Sequence, residues 1–130
     1  MYDRPTLEEL IAAARIHLEN VVIPVAKTIN HKLYFQTLVA VNVLRVAERE
    51  LLLGHAHFKA EWSRLNMLQG DQSLPTDPDK WQSALQERNS ALCADIRAGK
   101  HDQHAALFSH LKACATEQLE VANPKWLAMG

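Results

Sequence analysis

The stretch from Leu33 to Leu53 constrains this chain most. It is dominated by apolar side chains, and its charges, Arg45, Glu48, Arg49 and Glu50, are confined to the second half. Those charges make it a poor membrane span, which needs about 20 consecutive residues with few or none. At about 100° per residue its apolar side chains cover almost the full circumference of a helix, so the pattern predicts a core helix packed against neighbours on several sides.

Proline and glycine punctuate the rest at helix-length intervals. Thr6 and Glu9 have the spacing of a capping box, in which the hydroxyl accepts from the exposed backbone and the carboxylate reaches back to the cap. Leu7, Leu10, Ile11, Ala14, Leu18, Val21 and Val22 follow on one face, and Pro24 interrupts or bends this first helix because it lacks an N–H. Gly54, Gly70 and Gly99 each stand where a helical pattern stops, the usual place for a left-handed residue. The second helix therefore ends at Gly54, and a third runs from about His55 to Leu68 with Phe58, Trp62 and Leu65 at helical spacing. Gly70 to Lys80 is polar and proline-bearing and reads as a long loop, and near its end Asp77 and Pro78 open a fourth helix through Ala98. A fifth runs from about Asp102 to Ala122 and stops at Asn123-Pro124, with Trp126 expected to fold back onto the helices. Alternating patterns with hairpin turns are missing. The expected fold is all-α: a compact bundle of about five helices with a buried central second helix, in one domain over residues 1–130.

Fourteen Lys and Arg stand against fifteen Asp and Glu, and they are scattered. That balance argues against nucleic acid as a partner, because such domains concentrate positive charge on one face. No membrane partner is expected either. Cys93 and Cys114 each fall within an apolar stripe and read as reduced core thiols of a cytoplasmic protein. The polar opening has no secretory-signal pattern. Tyr2 and Tyr34 are available as hydroxyl partners.

The polar residues of the second helix divide by angle. Asn42, Arg45 and Arg49 share one sector with Glu48 on its rim, whereas Glu50 points among Val39, Val43 and Val46. Unpaired buried charges are costly, so one reading is an internal ion-pair network reaching Asp95 or Glu87 on the fourth helix. Arg88, on the apolar side of that helix, would likewise need an acid. The competing reading is a ligand site in which Arg45, Arg49 or Arg88 meets an anion, since arginine's planar fork suits carboxylate or phosphate.

Seven histidines raise a metal hypothesis. His101 and His104 are three residues apart, but no acid or cysteine takes a convincing third place on that face, and zinc usually wants three or four protein ligands. His55 and His57 diverge on a helix. No metal and no cofactor is expected. His110 stands four residues before Cys114, which is geometric opportunity without evidence of an activated thiol. No catalytic residue is assigned.

Four segments together carry a resemblance: Arg4-Pro-Thr-Leu-Glu-Glu-Leu, the stretch from Phe35 to Leu51, the stretch from Asn89 to Gly99, and Val121-Ala-Asn-Pro-Lys-Trp-Leu. In this combination the chain resembles a small bacterial family of all-helical proteins of unknown function, often encoded beside acyl-CoA dehydrogenases and aminoglycoside-phosphotransferase-like proteins. The resemblance implies that the family's central-helix asparagine and arginine-glutamate positions correspond to Asn42, Arg49 and Glu50, and its later asparagine and arginine to Asn89 and Arg97. It implies bacterial cytoplasm, and a dehydrogenase or phosphotransferase-like protein as partner, but no reaction. The function expected is a non-catalytic accessory or protein-interaction domain that self-associates, burying a helical face in a twofold dimer. An acyl or acyl-CoA-like anion bound between helices is the alternative, and an enzyme of unassigned reaction ranks below it.

Overall fold

In the computed structural model, which describes residues 3–129, helices α1 (Leu7–His17), α2 (Ile23–Ile29), α3 (His31–Gln69), α4 (Trp81–Arg97), α5 (Ala105–Ala122) and α6 (Lys125–Met129) follow in order, with no strand among the described residues. Among the described residues no helix is long and apolar enough to cross a membrane. Tyr2 lies outside the described residues. The chain forms two units, His55–Leu119 and the described residues on either side of it.

The capping box forms as the sequence predicts. Thr6 Oγ1 accepts from Glu9 N at 3.1 Å and Glu9 Oε2 accepts from Thr6 N at 3.1 Å. Pro24 does not interrupt the chain of helical turns. A wide π-type turn over Leu18–Val22 precedes it, in which Ile23 N donates to Leu18 O. Such a turn changes the register of the backbone bonds beside the residue that cannot donate. The break comes at Asn30, whose backbone is extended and whose Oδ1 accepts from Lys32 N (2.8 Å) and Leu33 N (3.3 Å), capping α3.

The largest difference from expectation is at Gly54. The second and third sequence helices are one 39-residue helix, and Gly54 lies inside it. A mid-helix glycine costs only about 1 kcal/mol relative to alanine, and no proline or competing cap accompanies this one. Gly70 (φ +97°) and Gly99 (φ +76°) do end helices in the left-handed region. α5 starts three residues later than expected, because Gln103 takes φ +61° and the preceding residues form turns.

In the unit His55–Leu119, Trp62, Leu65 and Leu92 form the buried apolar core. Phe58 stacks on Trp81, with ring centres 4.7 Å apart. The two indoles also order the long loop, Trp62 Nε1 donating to Gln72 O and Trp81 Nε1 to Pro75 O, both at 2.8 Å. In the other unit Ala26, Thr37 and Val41 are buried. Burial of the central helix is confined there to one stripe, so the expected packing against neighbours on several sides does not occur. Phe35, Val39 and Val43 remain 61%, 47% and 59% exposed, and Leu7, Leu10 and Val21 on the first helical segment are also open. Two further expectations fail: Trp126 is 60% exposed instead of folded back, and Cys93 is exposed. Both cysteines are free thiols.

Candidate functional site

The polar sector of α3 is real, and its partners are not on α4. Arg15 from α1 pairs with Glu48, its second nitrogen lying 3.3 Å from Glu48 Oε2, and with Glu19 at 3.1 Å. Glu19, in the π-type turn, accepts from Arg45 Nε at 3.1 Å and pairs with the terminal nitrogen of the same guanidinium. The result is a chain of alternating charges, Glu48, Arg15, Glu19, Arg45. The hydrogen bond from Arg45 holds the Glu19 carboxyl below the ordinary carboxylate range, and Glu48 raises Arg15 further. Asp95, the partner expected from the sequence, instead meets Lys100 at 3.2 Å and His101 at 4.0 Å, and Glu87 is exposed.

Arg49 stands apart from that chain. Its Nε donates to Val121 O at 2.7 Å, at the end of α5, a favourable place for a cation because the last carbonyls of a helix lack intrahelical donors. Its two terminal nitrogens make no hydrogen bond among the described residues. Asn42, Arg45 and Arg49 all line a cleft of about 600 Å³ whose lining also includes the apolar Ile23, Leu38 and Val41 and the charged Lys125. The structure thus brings these three sequence candidates together. Glu50 is exposed and needs no internal partner.

Arg88, Asn89 and Arg97 belong to the unit His55–Leu119. Arg88 is buried, but no acid among the described residues forms an ion pair with it. It donates to Asn66 Oδ1 (2.6 Å) and Gly70 O (3.0 Å) and lies 4.6 Å above the Trp62 ring. Carbonyl dipoles and a π face replace the carboxylate. Its buried Nε has no hydrogen-bond partner among the described residues, and burial lowers its pKa. Asn89 donates to Glu61 at 3.3 Å, and Arg97 is exposed.

One cluster escapes the sequence reading. Glu61, His110 and Cys114 each place a ligand atom within 4.8 Å of the others, a donor set suited to a divalent transition metal. Arg64 occupies the same neighbourhood. It donates to His110 Nδ1 (3.1 Å), lies 3.6 Å from Cys114 Sγ, and pairs with Glu117. Because His110 Nδ1 accepts, the neutral ring carries its proton on Nε2, which lies 3.6 Å from the thiol. Both ring nitrogens are therefore committed, and a resident guanidinium opposes a second cation. A metal could be held here only with Arg64 displaced. Burial lowers the His110 pKa, with the charge of Arg64 adding to the effect, and burial raises the Cys114 thiol, which leaves it protonated and unreactive. The spacing of His110, Cys114 and Glu117 on one face of α5 was the readable signal. Glu61 and Arg64, on α3, could not be matched to it from sequence.

The second feature of α3 is its open apolar face. On an ideal helix Lys32, Phe35, Val39, Val43, Val46 and Glu50 fall within a sector of about 80°, opposite buried Val41 and Thr37. The stripe is about 27 Å long at 1.5 Å per residue, with a cation at one end and an anion at the other.

A family model described as a domain of unknown function (DUF6285) matches residues 27–126. Neither a curated protein nor a solved structure matches the chain.

Proposed function

The chain belongs to the DUF6285 family, whose description assigns no activity, and from its own geometry we propose that it is a non-catalytic accessory domain that self-associates through the open face of α3. The observation that carries this reading is the uncovered stripe of Phe35, Val39 and Val43. Exposed apolar side chains are common singly, but aligned runs mark association surfaces.

The ends of the stripe favour a second copy as occupant. A twofold axis makes an interface self-complementary, residue i meeting j as j meets i. In an antiparallel pair centred on Val41, position 32 faces 50, position 35 faces 47, and position 39 faces 43. Lys32 of each copy then meets Glu50 of the other, Phe35 meets Ala47, and Val39 meets Val43. Neither Lys32 nor Glu50 takes part in an ion pair within the chain among the described residues, so both charges are available.

Charge reversal tests the register. Lys32→Glu and Glu50→Lys each place like charges opposite one another and weaken the dimer, whereas the double variant restores it. Sedimentation velocity reads the three outcomes. A double variant weaker than both single variants overturns the antiparallel arrangement.

A further inference from the structure

The cleft beside that face holds resources that neither the ion-pair chain nor self-association uses. Of the charged residues lining it, Glu19 is spent on Arg45. The unmatched charges are Arg49 and Lys125, both positive. Arg49 is fixed at its Nε by Val121 O, so its guanidinium plane is set before any ligand arrives, while its terminal nitrogens stay free. A C-terminal capping role alone would use the Nε bond and leave these donors idle. Asn42, two turns earlier on the same helix, adds an amide at the cleft wall, and Ile23, Leu38 and Val41 supply an apolar surface. The volume lies within the range of small-molecule sites, about 300–1,000 Å³.

We infer that this cleft binds a small amphiphilic carboxylate, with the carboxylate on the Arg49 fork beside Lys125 and Asn42 and a short alkyl body against Ile23, Leu38 and Val41. A planar guanidinium and a carboxylate pair through two parallel hydrogen bonds. The apolar wall gives a ligand with an alkyl body an advantage that a bare inorganic anion lacks. The site goes beyond the proposed self-association and uses different side chains of α3.

Titration of the full chain with hexanoate, followed by amide chemical shifts and calorimetry, tests this. The expected result is saturable binding that shifts residues around Asn42, Arg49 and Lys125, with hexanamide and inorganic phosphate each binding at least about tenfold more weakly. Arg49→Gln and Lys125→Gln should each weaken hexanoate by about tenfold. Lys125→Gln matters most as a control, since Lys125 is exposed and its loss does not threaten the fold. No saturable shift, hexanamide binding as well as hexanoate, or full affinity in Lys125→Gln together with Arg49→Gln overturns the inference. Phosphate binding as tightly as hexanoate overturns the amphiphile and leaves an anion site. The sedimentation behaviour of these variants should match the unaltered chain, which separates failure here from failure of the dimer.

Discussion

Val43→Glu is the perturbation that bears hardest on the proposed interface. Val43 is 59% exposed in the single chain, so a glutamate there is solvated and the monomer should fold normally. In the antiparallel pair the same position faces Val39 of the other copy. Fully burying a valine side chain is worth about 1.5–3 kcal/mol, so covering the exposed part of Val43 is worth about 1–2 kcal/mol per copy. Twofold symmetry makes that about 2–4 kcal/mol for the pair, and a carboxylate left facing valine adds a desolvation penalty. The dissociation constant should therefore rise by roughly 30-fold to several hundred-fold. Sedimentation equilibrium gives the constant, and far-ultraviolet circular dichroism checks that the helices persist. A dissociation constant unchanged within about threefold, in a folded variant, would exclude Val43 from the interface.

The continuity of α3 predicts that Gly54→Ala stabilises the chain by about 0.5–1 kcal/mol, because a Cβ at this position meets nothing within 4 Å; a lower urea midpoint would mean that the helix breaks there. The lowered pKa of His110 makes its contribution to stability fully present above the unfolded value of about 6.5 and progressively lost as pH falls from there toward the folded value. Urea midpoints should drop between about pH 7.5 and pH 5, and this part of the slope should vanish in His110→Gln; an identical slope in that variant contradicts the assignment. Arg88→Ala should cost about 2–4 kcal/mol, with Trp62 fluorescence shifting to the red as the loop it holds through Gln72 O loosens, while Arg88→Met, which keeps much of the packing over the indole, should cost less. Equal losses in the two would show that the packing of the stem contributes nothing.

The features legible in the sequence are those fixed by a few neighbouring residues. The Thr6 and Glu9 box, the left-handed Gly70 and Gly99, and the proline-bearing loop before α4 depend on local backbone chemistry, and each forms as read. The merged α3 depends on a balance that spacing does not reveal. Gly54 weakens the helix without supplying a better alternative, and the cap that does start it, Asn30, lies two residues before the lysine that opens the apolar face. The angular sector of Asn42, Arg45 and Arg49 was legible because helical geometry alone determines it. Its partners were not, because Arg15 and Glu19 reach Glu48 and Arg45 across 26 to 33 residues of sequence.

The same limit explains the misread burial. Apolar residues all round α3 are compatible with burial on all sides within one chain, or with burial on one side and association on another. Composition does not separate them. The exposed Phe35, Val39 and Val43 favour the second case. The Arg64 cluster was hidden for a different reason: half of it lies on α3 and half on α5, and only the α5 half has a periodic signature.

Self-association through α3 is read out by the mass of the unaltered chain in solution. Sedimentation equilibrium over about 1–100 μM should show the mass rising to twice 14.7 kDa and stopping there, as a closed twofold pair requires. A mass of 14.7 kDa at every concentration would rule out the α3 dimer.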